Sequence, residues 1–391
     1  MRKRYILCAL CALTIGLCMT AVLVACRGGS GEETSAGSTT GSDEPIGEFT
    51  EPEDSETVAG ESVTETVAPP DSETEEPLTA EPGHAASEAG AKTADILLAA
   101  DFGVVGDGVT DDGPAISEAV RAAVERQATL RFEAGKTYYV GTATNTAAVF
   151  RSPFSMKDAS GVTLDGQGAI FRMKPGLSFF ALAGCKDIRL ENCVFDMAES
   201  VYLVGRVESV DGKTVAFSVD REPYLASYDF TAVNGFAIRY NEGVQGRPHR
   251  FLRTMERTGE RQVKVTYASS PDCVRGDLVF LPNPGIGHAY SEAIYIGGCG
   301  GALVFENITI RQAPSFIMAI KGNNAEMYFE NVDMLPDTED GREIHMVSWR
   351  DGYHCKDNRL PIHWNECDVG VLYDDVFNIS NTLGYITEVT D

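Results

Sequence analysis

AIYIGGCGGALVFENITIRQAPSFIMAIKGNNAEMYFENV, residues 293 to 332, holds the same two apolar strands twice. AIYI (293–296) returns as IMAI (317–320), and LVFENI (303–308) returns as MYFENV (327–332). Downstream the pair comes back as YHC (353–355) with IHWNEC (362–367), and again as FNI (377–379) with ITEV (386–389). Aligning Ile296, Ile320, Cys355 and Ile379 gives steps of 24, 35 and 24 residues; aligning Phe305, Phe329, Trp364 and Glu388 gives the same three steps. Two separate strands that share one period mark a solenoid. Its coil is about 24 residues long, with an 11-residue insertion near DTEDGREIHMV. The fold class read from this is all-β, a right-handed parallel β-helix.

Working outward, Leu190 of LENC (190–193) falls in the same column as Phe305, 115 residues earlier, which is one coil plus an insert of 91 residues at about 198–288. The insert alternates strand-like runs (VYLVGRVESVDGKTVAFSV, GFAIRY, RQVKVTY, GDLVFL) with turn signals, which predicts a small antiparallel β domain or barrel. Asn192, Asn307 and Asn331 recur at one position of the coil, where stacked amides form a ladder. Before the coils comes ADFGVVGDGVTDDGPAISEAVRAAV (100–124). Thr110 and the two aspartates after it suit a helix start, Pro114 suits the first turn, and Ile116, Ala119, Val120 and Ala123 share one face. With the strand-like TLRFEAGKTYYVG after it, this opening resembles the N-terminal cap of pectate-lyase-like β-helices. The expected organisation is cap and first coils at 93–197, inserted β domain at 198–288, and coils carrying the chemistry at 289–391.

The chain has 391 residues, with 32 Lys plus Arg against 58 Asp plus Glu and a net charge of −26. No basic run offers a footprint for nucleic acid, and that class is set aside. The acidity is uneven: residues 27–92 hold 17 acids against Arg27 and Lys92 alone. At the start, Arg2, Lys3 and Arg4 precede an apolar stretch from Tyr5 to Ala25, long enough for a signal anchor. Leu23-Val24-Ala25-Cys26 resembles the bacterial lipobox, which implies a signal peptide at 1–25 and a lipid on Cys26. An extracytoplasmic, membrane-anchored lipoprotein at the bacterial cell surface is expected. Residues 26–92 are too poor in apolar side chains to fold and read as a disordered acidic linker of roughly 45 Å mean reach. Cys185, Cys193, Cys273, Cys299, Cys355 and Cys367 form no CxxC or His-rich metal spacing. Several read as small buried apolar residues; neither a metal site nor a cofactor is expected.

One stretch concentrates acids, a histidine and aromatics at coil spacing: SWRDGYHCKDNRLPIHWNECDVGVLYDDVFNIS, residues 348–380. Placing Tyr353 on Phe377 and Cys355 on Ile379 as inward positions sets Asp351 on Asp375, with His354 over Asn378 facing outward. Neighbouring strands lie about 4.8 Å apart, so Asp351 comes close to both Asp374 and Asp375. Like charges so placed raise the pKa of at least one of them, which keeps a carboxylic acid protonated for general acid work. Glycoside hydrolysis needs such an acid and a second carboxylate; the coil spacing leaves inverting and retaining routes open.

At these residues the sequence resembles glycoside hydrolase family 110, bacterial exo-acting α-galactosidases built on a right-handed β-helix; DGYHCKDNRLPIHW and YDDVFNIS carry the likeness. The resemblance implies that Asp351, Asp374 and Asp375 are the catalytic carboxylates of an inverting enzyme that removes terminal α-1,3-linked galactose. Around them, His354, Arg350, Lys321, Lys356 and Asn378 are candidate donors to sugar hydroxyls. Trp349 and Tyr373 are candidates to stack on the sugar face or to pack. His288 and Glu292 are candidates to line the same groove. Family members continue past this strand with further coils, so the last coil here is expected to need cover from YITEVTD and an oligomer, or to belong to a relative of reduced activity. Two other readings stand beside this one. A pectate-lyase-like lyase would use the aspartates on Ca²⁺ with Arg350 or Lys356 as base, with a polygalacturonase-type hydrolase on the same fold as its neighbour. A non-catalytic surface scaffold would bind glycan through the inserted domain.

Overall fold

A computed structural model describes residues 95–147, 150–219, 230, 236–240, 249–283, 292–338 and 345–381. The signal segment, Cys26, the acidic linker, His288 and Glu388 lie outside the described residues.

Two parallel sheets form the coils. The first runs Ile96–Leu98, Thr129–Arg131, Ser160–Met173, Lys186–Met197, Gly300–Ile310, Asn324–Asp333 and Ile362–Asn365, with Thr137–Val140 and Asp107–Asp111 alongside. The second runs Phe154–Lys157, Phe180–Ala183, Glu292–Gly297, Phe316–Lys321, Tyr353–Lys356 and Phe377–Ser380. The registers are those of the repeat: Ile296 opposite Ile320, Ile320 opposite Cys355, and Cys355 opposite Ile379. In the first sheet Leu190 lies opposite Phe305, Phe305 opposite Phe329, and Phe329 opposite Trp364. The chain is a parallel β-helix.

Stacking identical positions turns each inward column into a continuous apolar wall. Phe305 stacks on Phe329 at 4.9 Å between ring centres, Phe329 on Trp364 at 6.1 Å, and Tyr353 on Phe377 at 5.1 Å. Asn192, Asn307 and Asn331 hold the corner of the first sheet, each with φ between 53° and 57°. A left-handed residue turns the strand, so the inward positions on its two sides fall three apart rather than two: Phe305 and Ile308, then Phe329 and Val332, all buried. Asparagine tolerates that backbone better than most residues. Its amides also cross-link the coils: Asn331 Nδ2 donates to Asn307 Oδ1 (2.9 Å), Asn307 Nδ2 to Asn192 Oδ1 (3.1 Å), and Asn192 Nδ2 to Asp165 Oδ1 (3.0 Å). Five of the six described cysteines are buried; burial pushes the Cys355 thiol up to about 12, so its sulfur behaves as a packing atom, whereas a hydrogen bond with Cys299 brings the Cys185 thiol down to about 7.

The N-terminal helix covers Gly113–Arg126 and buries Ile116, Ala119, Val120 and Ala123 against the first coil. Thr110 does not start it, because Asp107–Asp111 is a strand paired with Thr137–Val140. Asp112 is the residue before the helix, and its carboxylate accepts the N–H groups of Val105 (2.7 Å) and Gly106 (3.0 Å) instead of capping the helix. The segment between Met197 and Glu292 contains a closed antiparallel barrel of six strands, ordered Tyr202–Asp211, Thr214–Val219, Gln262–Tyr267, His249–Arg257, Phe236–Tyr240 and Leu278–Pro282. Tyr202 lies opposite Pro282, so the barrel leaves and rejoins the coil at one point.

Candidate active site

The second sheet carries one row of residues that reads Glu292, Phe316, Asp351, Asp375 from strand to strand. Glu292 pairs directly with Phe316; Asp351 and Asp375 stand two residues before the Tyr353–Phe377 pair. The Ile317 N–H donates to the Asp351 carbonyl (3.0 Å) and the Gly352 N–H to the Asp375 carbonyl (2.9 Å). Glycine at 352 is needed for this approach, because a Cβ there would stand 2.8 Å from the Val376 carbonyl oxygen. The DG dipeptide thus lets the last strand draw up against Asp351.

One carboxylate oxygen each from Asp351, Asp374 and Asp375 lie within 4.8 Å of one another. Their surroundings differ. Asp351 is 2% exposed, and its Oδ2 meets His354 Nδ1 at 2.8 Å. Asp374 and Asp375 are open to solvent. Partial burial, and then the neighbouring charge of Asp351, hold the Asp374 carboxyl above the usual carboxylate range, against the opposing pull of Arg350; Asp375 adds to the rise. Arg350 Nε stands 3.6 Å from Asp374 Oδ2, while its guanidinium lies 4.4 Å over the Phe316 ring and 5.3 Å from the Trp349 ring. Phe316 in turn meets the His354 ring edge-on at 5.1 Å. A chain of contacts therefore runs Phe316, Arg350, Asp374, Asp351, His354. A carboxyl that holds its proton to higher pH than usual, beside a buried carboxyl group held by an imidazole, can give that proton to a leaving oxygen. Three oxygens this close can equally hold a divalent cation.

The other candidates are placed as follows. Trp349 is committed to structure: its Nε1–H donates to the Pro314 carbonyl (2.7 Å), and it and Tyr373 pack against the core, which favours packing over sugar stacking for both. Glu292 and Lys321 bond each other (Nζ to Oε1, 2.9 Å), Glu292 two strands and Lys321 one strand from that of Asp351, so Lys321 positions Glu292. Lys356 lies opposite Lys321, two residues along the outward face from His354, and Asn378 lies opposite His354. Phe316 is the member that motif reading missed; its signal was its column, two residues before Met318, which pairs with Tyr353.

The close spacing bears on stereochemistry. Inverting pairs stand about 6.5–9.5 Å apart to admit a water and retaining pairs about 5–5.5 Å; the trio lies nearer the second arrangement, whereas the family resemblance implies the first.

No family model and no curated protein matches the chain. Among solved structures, a Parabacteroides merdae protein with a provisional glycosyl hydrolase description is similar over 73% of this chain and 96% of its own, at 13% identity and a TM-score of 0.29. ORF18 of Geobacillus virus E2 is similar over 70% of this chain and 41% of its own, at 12% identity and a TM-score of 0.27. The A-module of the Azotobacter vinelandii mannuronan C-5 epimerase AlgE4 is similar over 72% and 77%, at 12% identity and a TM-score of 0.20. Likeness at this level assigns no residue a role.

Proposed function

We propose that the chain is a glycoside hydrolase in which Asp374 is the general acid and Asp351, fixed by His354, is the partner carboxylate. The observation that carries this reading is the contrast within one cluster. Asp374 is solvent-facing and holds its proton above the usual carboxylate range, while Asp351 is buried against an imidazole. That division of labour is what cleavage of a glycosidic bond asks of two carboxyl groups. Asp374 protonates the departing oxygen as its bond to the anomeric carbon breaks, Asp351 and the exposed Asp375 stabilise the oxocarbenium-like sugar, and a water adds to that carbon, leaving its proton on the carboxylate cluster. The resemblance to family 110 extends the reading to terminal α-1,3-linked galactose on extracellular glycans, reached from a lipid anchor at Cys26.

The test is incubation of the chain from residue 93 onward with α-1,3-galactosyl oligosaccharides, beside its Asp374→Asn variant. Free galactose from the first and none from the second supports the proposal; equal release removes Asp374 from the chemistry. Proton NMR of the first-formed anomer, β for inversion and α for retention, then decides the route.

The same trio of oxygens within 4.8 Å favours a second reading, a cation-dependent polysaccharide lyase. Loss of activity with chelator and an unsaturated product absorbing in the ultraviolet would establish it in place of the hydrolase.

A further inference from the structure

Where the inserted barrel meets the first sheet there is a cavity of about 170 Å³, formed by the C-terminal ends of the sheet strands and by Tyr202 at the barrel's base. Its floor is a row of charges set by register: Arg172 lies opposite Asp196, and Arg311 directly follows Ile310, the partner of Phe195. Opposite charges on adjacent strands stand about 4.8 Å apart by backbone spacing and ordinarily close into an ion pair. Here they do not. Among the described residues the Arg172 side chain makes no hydrogen bond or ion pair. Asp196 uses only Oδ1, which accepts the Met197 N–H at 2.8 Å. Arg311 is taken by Asp337 at 3.2 Å, and Gln312 by the Val201 N–H at 3.1 Å. One guanidinium and one carboxylate oxygen are thus left facing a shared space.

We propose that this seam is a second saccharide subsite, which takes one neutral pyranose unit between the Arg172 guanidinium and the Asp196 carboxyl. Neighbouring sugar hydroxyls are donors and acceptors at once, so a diol satisfies both groups. A cavity this small, below the roughly 300 Å³ where drug-sized pockets begin, suits a single sugar. With Arg311 already neutralised, Asp196 and Glu199 outweigh Arg172, which disfavours an anionic ligand. Burial raises the Asp196 carboxyl, against the pull of Arg311 and Arg172. The seam is close to the carboxylates along the chain: Arg311 and Phe316 are five residues apart, at most about 17 Å when fully extended. An oligosaccharide cleaved at Asp374 could rest its far residues here. The choice of ligand rests on the glycan-active reading; the site does not rest on hydrolysis.

The experiment uses the full chain carrying Asp374→Asn, titrated calorimetrically with galactose and with a neutral α-galactosyl tetrasaccharide. Adding Arg172→Ala or Asp196→Asn is expected to weaken tetrasaccharide binding tenfold or more and to leave galactose affinity within twofold. Arg172 is exposed, so its removal spares the fold even where the Asp196 variant proves unstable. Tetrasaccharide affinity indifferent to Arg172, or no tetrasaccharide binding, overturns the proposal. If the unmodified chain releases no galactose but binding still depends on Arg172, hydrolysis falls and the seam stands; release without that dependence is the reverse.

Discussion

Asp374 is where activity and stability pull in opposite directions. A carboxyl whose pKa is raised by folding binds its proton more tightly in the native state, so stability falls as pH rises from the ordinary carboxylate value through the raised one. Asp374→Asn removes that loss. The variant should therefore melt at or slightly above the unmodified protein near neutral pH, while losing about 100- to 10,000-fold in galactose release. A melting curve beside a rate assay shows both, and a marked drop in melting temperature would instead make Asp374 a structural residue. The acid must be protonated to act, so the rate should fall as pH climbs through its raised pKa. Arg350 pulls that pKa down, so Arg350→Met should carry the alkaline limb of the pH–rate profile to higher pH; a limb that does not move separates Arg350 from the acid. Outside the acidic trio, His354 is the hydrogen-bonded partner that the described structure gives the buried Asp351 side chain. His354→Ala should cost about 1–3 kcal/mol by urea unfolding.

At the scale of the strand, the register was legible because period and parity leave little freedom: shifting one strand by a residue would turn Phe305, Phe329 and Trp364 out of the interior. The same subtraction placed Asp351 on Asp375. What it could not supply was the reach of side chains across columns. Trp349 reads in the sequence as an aromatic beside acids, yet its indole turns back to the Pro314 carbonyl, a contact across 35 residues. The Glu292–Lys321 pair likewise crosses from one coil to the next, over a span no local pattern reports. The asparagine corner shows local and long-range demands agreeing, since position 307 needs both a left-handed backbone and an amide that bonds above and below. Asn307→Ala fails both and should cost about 1–2 kcal/mol, with Asn307→Gly milder because the backbone is relieved. Equal losses in the two variants would show that the amide ladder alone matters.

For the whole molecule, the barrel is an excursion from a coil that closes without it: Leu190 and Phe305 pair as direct neighbours although 115 residues separate them. Both barrel ends meet at the Tyr202–Pro282 pair. Replacing Arg206 to Leu278 with a short Gly-Ser linker should leave the parallel sheets folded, with a cooperative melt and strand-rich circular dichroism; collapse to an unfolded chain would make the barrel part of the folding unit. The insert's position was readable as a break in the period, whereas the seam beneath it was not, because Arg172, Asp196 and Arg311 belong to three different coils.

The chain contains two indoles, and they are set in unlike places. Trp364 stands in the interior column against Phe329, Tyr353 and Phe377, whereas Trp349 lies under the Arg350 guanidinium next to the acids. Intrinsic fluorescence of this protein is therefore two signals added together, one tracking the cohesion of the stack and one tracking what occupies the acidic cluster. Trp364→Phe leaves a single emitter, so that a change in its light on adding saccharide reports occupancy without any label.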